Sequence, residues 1–410
     1  MKDIRFGELR IGDVAREKIK KALDSNWISE GDNVKEFEQK FAQRFGWKHA
    51  IATSSGTDAG IVVWSAIREF QGLHHYAESA GHPADCKGHV ITPACAFTAT
   101  ANCILAAGMR PAFVDIDLDT LNVNLAGIQK MIDDYQFLRL PLAGIQFVAT
   151  MGRPTPIREV ALLAKAHDLY SVADFCEAHG AGFIIDDTPA GGPPRSFTRH
   201  QYADHFADAA IYSFYAAHLV VAGEGGMVCT DDDDIAALCR SIKSHGRRNA
   251  DIYFHFDRVG YNAKMNELTA AIGIEGLEKF DTSFEKRRAL RMNMVGLIEE
   301  INLERGPTFL PQEDFEFEII APHAYPLVLA DPDGDISPLY RYLEEHGIQC
   351  KTLFGSLPTD HRAFEFLGYR KGDFPVAERI GRTGLHFGCH EFLTINDVEY
   401  IRDTLRNFFK

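Results

Sequence analysis

Three groups in this sequence are suited to chemistry: an imidazole, a carboxylate and a turn of small residues. His218 closes a short loop in Asp208-Ala-Ala-Ile-Tyr-Ser-Phe-Tyr-Ala-Ala-His218-Leu-Val-Val-Ala-Gly-Glu-Gly-Gly226, between apolar runs at 209–214 and 227–230. Short apolar runs bounded by glycine clusters read as core strands of an α/β sheet. An imidazole can take or give a proton near neutral pH, although a histidine at a loop end is more often structural. Asp174 follows the run Tyr170–Ala173, and ligands of open α/β sheets gather at the carboxyl ends of strands. The plainer role for Asp174 is to cap a helix from Phe175 onward. Ser54-Ser-Gly-Thr-Asp-Ala59 turns a strand at 48–53 into a helix. That leaves unpaired N–H groups at the positive end of a helix dipole, a setting that suits phosphate; many such turns bind nothing.

The elements that must position these groups alternate along the first two thirds of the chain. Val34, Phe37, Phe41 and Phe45 recur at spacings of three and four before Gly46, one apolar helix face. In Gly12–Ser25, Val14, Ile19, Ala22 and Leu23 predict a second amphipathic helix. Strands are expected at His89–Pro93, Ala112–Asp117, Gly144–Ala149 and Tyr170–Ala173. Among the helices between them, Asn124 caps one, and Pro156 opens another that packs Val160, Leu162, Leu163 and Ala166. A helix over Asp234–His245 should close at Gly246. The polar stretch Gln71–Gly88 carries His74, His75, His82 and Cys86 in no regular metal-ligand spacing and reads as a loop, as does Asp186–Ser196. Past about 281 the pattern changes to a long charged helix (285–302), strands near Ile319 and at Ala324–Leu329, and helices Leu339–His346 and Ile395–Phe409. The chain is expected to divide into a large domain, 1–280, and a small C-terminal α+β domain, 281–410.

With 410 residues, 46% apolar and 25% charged, the chain suits a globular protein with a sizeable core. A net charge of −15 argues against nucleic acid as a partner. No run is long enough to span a bilayer and no signal region opens the sequence, so a cytoplasmic location is expected. The eight cysteines form no CxC or CxxC pair and are expected to be reduced and mostly buried.

Taken in order, SSGTDA, TPACAFTATANCILAAG-x-x-P-x-FVDID, VADFCEAHG, SFYAAH-x-x-x-x-GEGG, SHG, GYNAKMNELTAAIG and FP-x-AER resemble the DegT/DnrJ/EryC/StrS sugar aminotransferases, from about Ile11 to Phe409. The resemblance implies the α/β fold of the aspartate-aminotransferase-like group (pyridoxal-phosphate-dependent transferases of type I), with a mixed seven-stranded sheet in the large domain. It also implies a homodimer with shared active sites. Gly56, Thr57 and Ser213 stand at the family's phosphate contacts, and Asn262 at one that reaches in from the partner subunit. Phe97 takes the place of the ring that stacks on the pyridine, and Asp174 that of the carboxylate paired with the pyridine nitrogen. Glu177 falls where many transaminases carry Gln or His; an acidic residue there looks like the family's 3-dehydratases.

His218 holds the position of the family's catalytic lysine. A lysine both tethers the cofactor and moves a proton, whereas a histidine can do only the second. The branch with this exchange removes the C3 hydroxyl of nucleotide-linked 4-keto-6-deoxy sugars, holding pyridoxal or pyridoxamine phosphate non-covalently and taking its amine from glutamate. One variant adds a cysteine-ligated iron–sulfur cluster, but Ser244–Tyr253 contains no cysteine, so no cluster is expected. The leading expectation is thus a nucleotide-sugar 3-dehydratase with His218 as its base. Its rivals are a transaminase-like enzyme acting on another keto sugar and a non-catalytic sugar-nucleotide- or cofactor-binding protein.

Overall fold

The computed structural model describes residues 2–72, 88–186, 198–248, 254–312 and 314–409. The aromatic face expected after residue 32 forms helix α2 (Asp32–Phe45), which follows α1 (Asp13–Asp24). Val34, Phe37, Phe41 and Phe45 are all buried, and Phe41 meets Phe37, Tyr212 and Phe214 edge-on at 4.9 to 6.0 Å. Gly46 ends α2 with φ 81°, a left-handed conformation that favours glycine. In α1 the expected stripe holds only in part: Ala22 is buried, together with Ala15, whereas Val14 and Leu23 are 40% and 53% exposed. This helix packs on helix Glu267–Glu278, whose Glu275 accepts the Ala15 N–H at 2.8 Å. That close approach selects the small side chains for the buried face.

The first nine strands are β1 (His49–Thr53), β2 (His89–Pro93), β3 (Arg110–Val114), β4 (Leu142–Val148), β5 (Tyr170–Asp174), β6 (Gly182–Asp186), β7 (Thr198–Tyr202), β8 (Ala209–Ser213) and β9 (Gly226–Thr230). Seven of them form the expected mixed sheet, in the order β1-β9-β8-β5-β4-β2-β3. β9 runs antiparallel to both its neighbours and the other pairings are parallel. Helix α3 (Gly56–Phe70) follows β1, and Asn124 caps helix Leu125–Leu138 by accepting from Gly127 N–H. Asp174 is the last residue of β5 and is followed by turns, so it caps no helix.

Three other local expectations are corrected. β3 begins and ends earlier than Ala112–Asp117. Pro156 precedes helix Ile157–Ala166 as its N-cap residue, and Leu162 on that helix is exposed. Helix Asp233–Ile242 stops short of His245, because the Gly246 N–H closes a turn onto the Ser241 carbonyl at 2.8 Å.

Beyond helix Phe280–Arg305 come β10 (Glu318–Ile319), β11 (Ala324–Val328), β12 (Cys350–Thr352) and β13 (Gly384–Gly388). β11, β13 and β12 make a small antiparallel sheet over an apolar cluster that includes Tyr325, Leu343, Phe387 and Ile401. β10 instead pairs back with β6, across the boundary expected at 281. The start of the chain also joins the C-terminal part: Ile4 N–H reaches Gly347 O at 2.8 Å, Gln349 N–H reaches Ile4 O at 2.9 Å, and Gln349 Oε1 accepts the Phe6 N–H at 3.1 Å. The seven described cysteines are unpaired, and all but Cys176 are buried. Among the described residues no helix is long and apolar enough to cross a membrane.

Candidate active site

Parallel strands end in splayed loops, and a cavity of about 440 Å³ opens where β5 and β8 end against the start of α3. Gly56, Thr57, Phe97, Asp174, Glu177, Ser213 and His218 all line it. Close approach explains two glycines. A Cβ on Gly56 would sit 2.7 Å from Ser213 Cβ, and one on Gly226 would sit 2.2 Å from Ser55 O. The strand-to-helix turn and the ends of β8 and β9 are therefore pressed together, which sets the Ser213 side chain beside the α3 N-terminus.

Asp174 is buried; its Oδ2 accepts from Thr100 Oγ1 at 3.0 Å and its Oδ1 from Cys176 N–H at 3.3 Å. Burial raises its pKa, with hydrogen bonds from Cys176 and Thr100 pulling the other way. A cation in the cavity would relieve that cost. Glu177 accepts the Met151 N–H on Oε2 at 2.9 Å, and burial pushes its pKa up to about 7.

His218 is held from behind. Its carbonyl accepts from Arg287 Nη2 at 2.7 Å, and its ring Nδ1 lies 3.3 Å from Nδ1 of His323. Burial, with the Arg287 charge second, lowers its pKa from 6.5 to about 3, so the ring is neutral across the usual assay range. The second His323 nitrogen, Nε2, is 3.8 Å from Glu177 Oε1.

Asn262 lies outside the cavity: it is exposed, accepts from Lys264 Nζ and bridges to Ser244. The other walls come from places that no motif marked. His323, Lys351 and His386 arrive from just before β11, from β12 and from β13, and Phe6 from the chain start. The signal available in sequence was a histidine set in an apolar strand context, at Pro322-His323-Ala324 and Leu385-His386-Phe387. The segment Leu353–Arg362 contributes Phe354, which meets Phe97 edge-on at 5.9 Å. His361 and His390 do not line the cavity; His390 bonds to the Arg5 carbonyl at 3.1 Å. The histidines of 73–87, the loop 187–196 and the cysteine-free segment 249–253 fall outside the described residues.

The profile of the DegT/DnrJ/EryC1/StrS aminotransferase family matches residues 10–406. The chain belongs to that family. The GDP-perosamine synthase of Vibrio cholerae is 26% identical, over 96% of this chain and 96% of its own. The GDP-4-keto-6-deoxy-D-mannose 3-dehydratase of Escherichia coli O55:H7 is 25% identical, over 96% of this chain and 97% of its own. Among solved structures, the Helicobacter pylori aminotransferase PseC superposes with a TM-score of 0.80 at 22% identity, covering 100% of this chain and 99% of that one. This family member is therefore a pyridoxal-phosphate-dependent enzyme of the sugar aminotransferase and 3-dehydratase group, with the family's α/β fold.

Proposed function

We propose that the chain is a nucleotide-sugar 3-dehydratase that grips pyridoxamine phosphate without a covalent link and uses His218 as its base. The observation carrying this reading is that an imidazole lines the cavity beside Asp174, Ser213 and the α3 N-terminus. The residues fit the cofactor. The free N–H groups of Gly56 and Thr57 and the Ser213 hydroxyl supply phosphate donors. Phe97 offers a ring face, and the buried Asp174 carboxylate would keep a pyridine nitrogen protonated. When bound, the cofactor supplies an amine that condenses with a ketone and a ring that draws electrons away from it. His218 would take the proton released beside that amine. Cys103 and Cys176 line the same cavity, but burial pushes Cys103 up to about 12 and Cys176 well up. These two are also fewer than the four ligands such a cluster takes, which among the described residues supports a route without an iron–sulfur cluster.

Glutamate-dependent release of ammonia from a GDP- or dTDP-linked 4-keto-6-deoxy sugar, with loss of the C3 oxygen, is the expected result. The perosamine synthase among the relatives supports one second reading, amino transfer to a keto sugar with the C3 oxygen kept. Recovery of a 4-amino sugar in place of ammonia would select it. Lys351 is the lysine among the described lining residues; borohydride fixing the cofactor to it would reject the untethered reading.

We also propose that the enzyme is a homodimer in which Asn262 serves the partner's cavity. Strongly exposed apolar side chains precede it in sequence: Phe254 at 76% and Val259 at 88%. Val259→Asp is expected to shift the protein from dimer to monomer in sedimentation and to weaken cofactor retention. An unchanged sedimentation coefficient rejects this interface.

A further inference from the structure

We infer that Glu177 and His323 are positioning residues that fix His218 in the tautomer with its proton on Nδ1, leaving Nε2 bare toward the cavity. The inference rests on the reading of His218 as a base. Two buried ring nitrogens 3.3 Å apart, Nδ1 of His218 and Nδ1 of His323, can be neither both bare nor both protonated. One donates and one accepts, and the partner on the far side of His323 decides which.

That partner is Glu177. Its Oε2 is anchored by the Met151 N–H at 2.9 Å, which leaves Oε1 facing His323 Nε2 at 3.8 Å. Above about pH 7, where Glu177 is ionised despite its burial, its carboxylate at that range favours a proton on the nitrogen that faces it. A neutral imidazole carries one proton, so His323 Nδ1 is the acceptor. His218 must then donate from Nδ1, and its Nε2 lone pair is the group left for the cavity. The opposite arrangement would set a bare His323 Nε2 against the carboxylate oxygen.

Other charged or titratable neighbours do not reverse the choice. Arg287 bonds the His218 carbonyl, not its ring. His179 lies 6.0 Å from the His218 ring centroid and accepts the Val220 N–H on Nδ1. His386 is separated from His323 by the Phe6 ring, which meets both edge-on. Burial keeps the His218 and His323 rings neutral. When Nε2 takes a proton, the new positive charge is faced through His323 by the Glu177 carboxylate.

The test is the tautomer of His218, read at about pH 8, where Glu177 is ionised, by two-bond proton–nitrogen NMR on histidine-labelled protein without cofactor or sugar. Signals are assigned by their loss in His218→Asn. The proton is expected on Nδ1; finding it on Nε2 overturns the inference. His323→Phe and Glu177→Gln are each expected to lose the Nδ1 preference and to lower kcat by roughly 10²-fold with KM little changed. Retention of the preference in both folded variants overturns it as well. A wild-type protein with its proton on Nδ1 and no dehydratase activity upholds this inference and rejects only the functional reading.

Discussion

Replacing His218 by Asn is expected to slow 3-dehydration by roughly 10²–10⁴-fold, the usual worth of a positioned acid–base group. Cofactor retention should be nearly unchanged. The phosphate, ring and pyridine nitrogen are assigned to Gly56, Thr57, Ser213, Phe97 and Asp174, so removing the imidazole touches the proton step alone. Ammonia release gives the rate, and a titration of cofactor absorbance gives retention. A variant within threefold of wild type would show that the base lies elsewhere. Because the folded pKa of His218 is lowered to about 3, its base form should not be the group that limits activity between about pH 5 and 8. The sign for stability is the reverse of a salt-bridged histidine. The unfolded ring takes up a proton below its ordinary value of 6.5 while the folded one does not. Its contribution is therefore intact above 6.5 and declines as the pH falls from there.

Arg287→Ala is expected to destabilise the fold by ~3–5 kcal/mol, read from the shift of a denaturant midpoint. Its side chain is fully buried and bonds the Glu391 carboxylate at 3.1 Å and the carbonyls of Ala217 at 3.0 Å and His218 at 2.7 Å, with longer bonds to those of Pro322 and His323. Truncation strands a carboxylate and two loop carbonyls at once, each of which costs more unpaired than the original bonds contributed. Arg287→Lys keeps the charge but loses the fork that spans these partners, so it should recover only part of the loss. A change below ~1 kcal/mol for the alanine variant would mean that the His218 loop is held by its neighbours instead.

Local patterns carried the central elements well. The aromatic spacing of α2 and the glycine-bounded runs of β8 and β9 reported their environment directly, because α2 buries one continuous face and the two strands are buried along nearly their whole length. The cavity could be located for the same reason: its motifs sit at strand ends. What the pattern could not carry was pairing between distant segments. Val14, Leu23 and Leu162 were placed inward because apolarity was read as burial, whereas a close helix contact selected alanines in α1. β10 pairs with β6 by backbone bonds that leave almost no side-chain signature in a two-residue strand. His323, Lys351 and His386 reach the cavity singly, each from a different piece of the C-terminal sheet, so no spacing rule joins them to His218.

The pairing of residues 4–6 with residues 347–349 bears on how the enzyme is made. Phe6, a wall of the cavity, is held by Gln349, 343 residues further on. Residues 4–6 leave the ribosome well ahead of Gln349 and wait tens of seconds, at typical elongation rates, before their partners exist. The pocket is consequently completed only after the sheet has been built, and a bulky tag fused ahead of Ile4 would disturb cofactor loading more than one placed after the final helix.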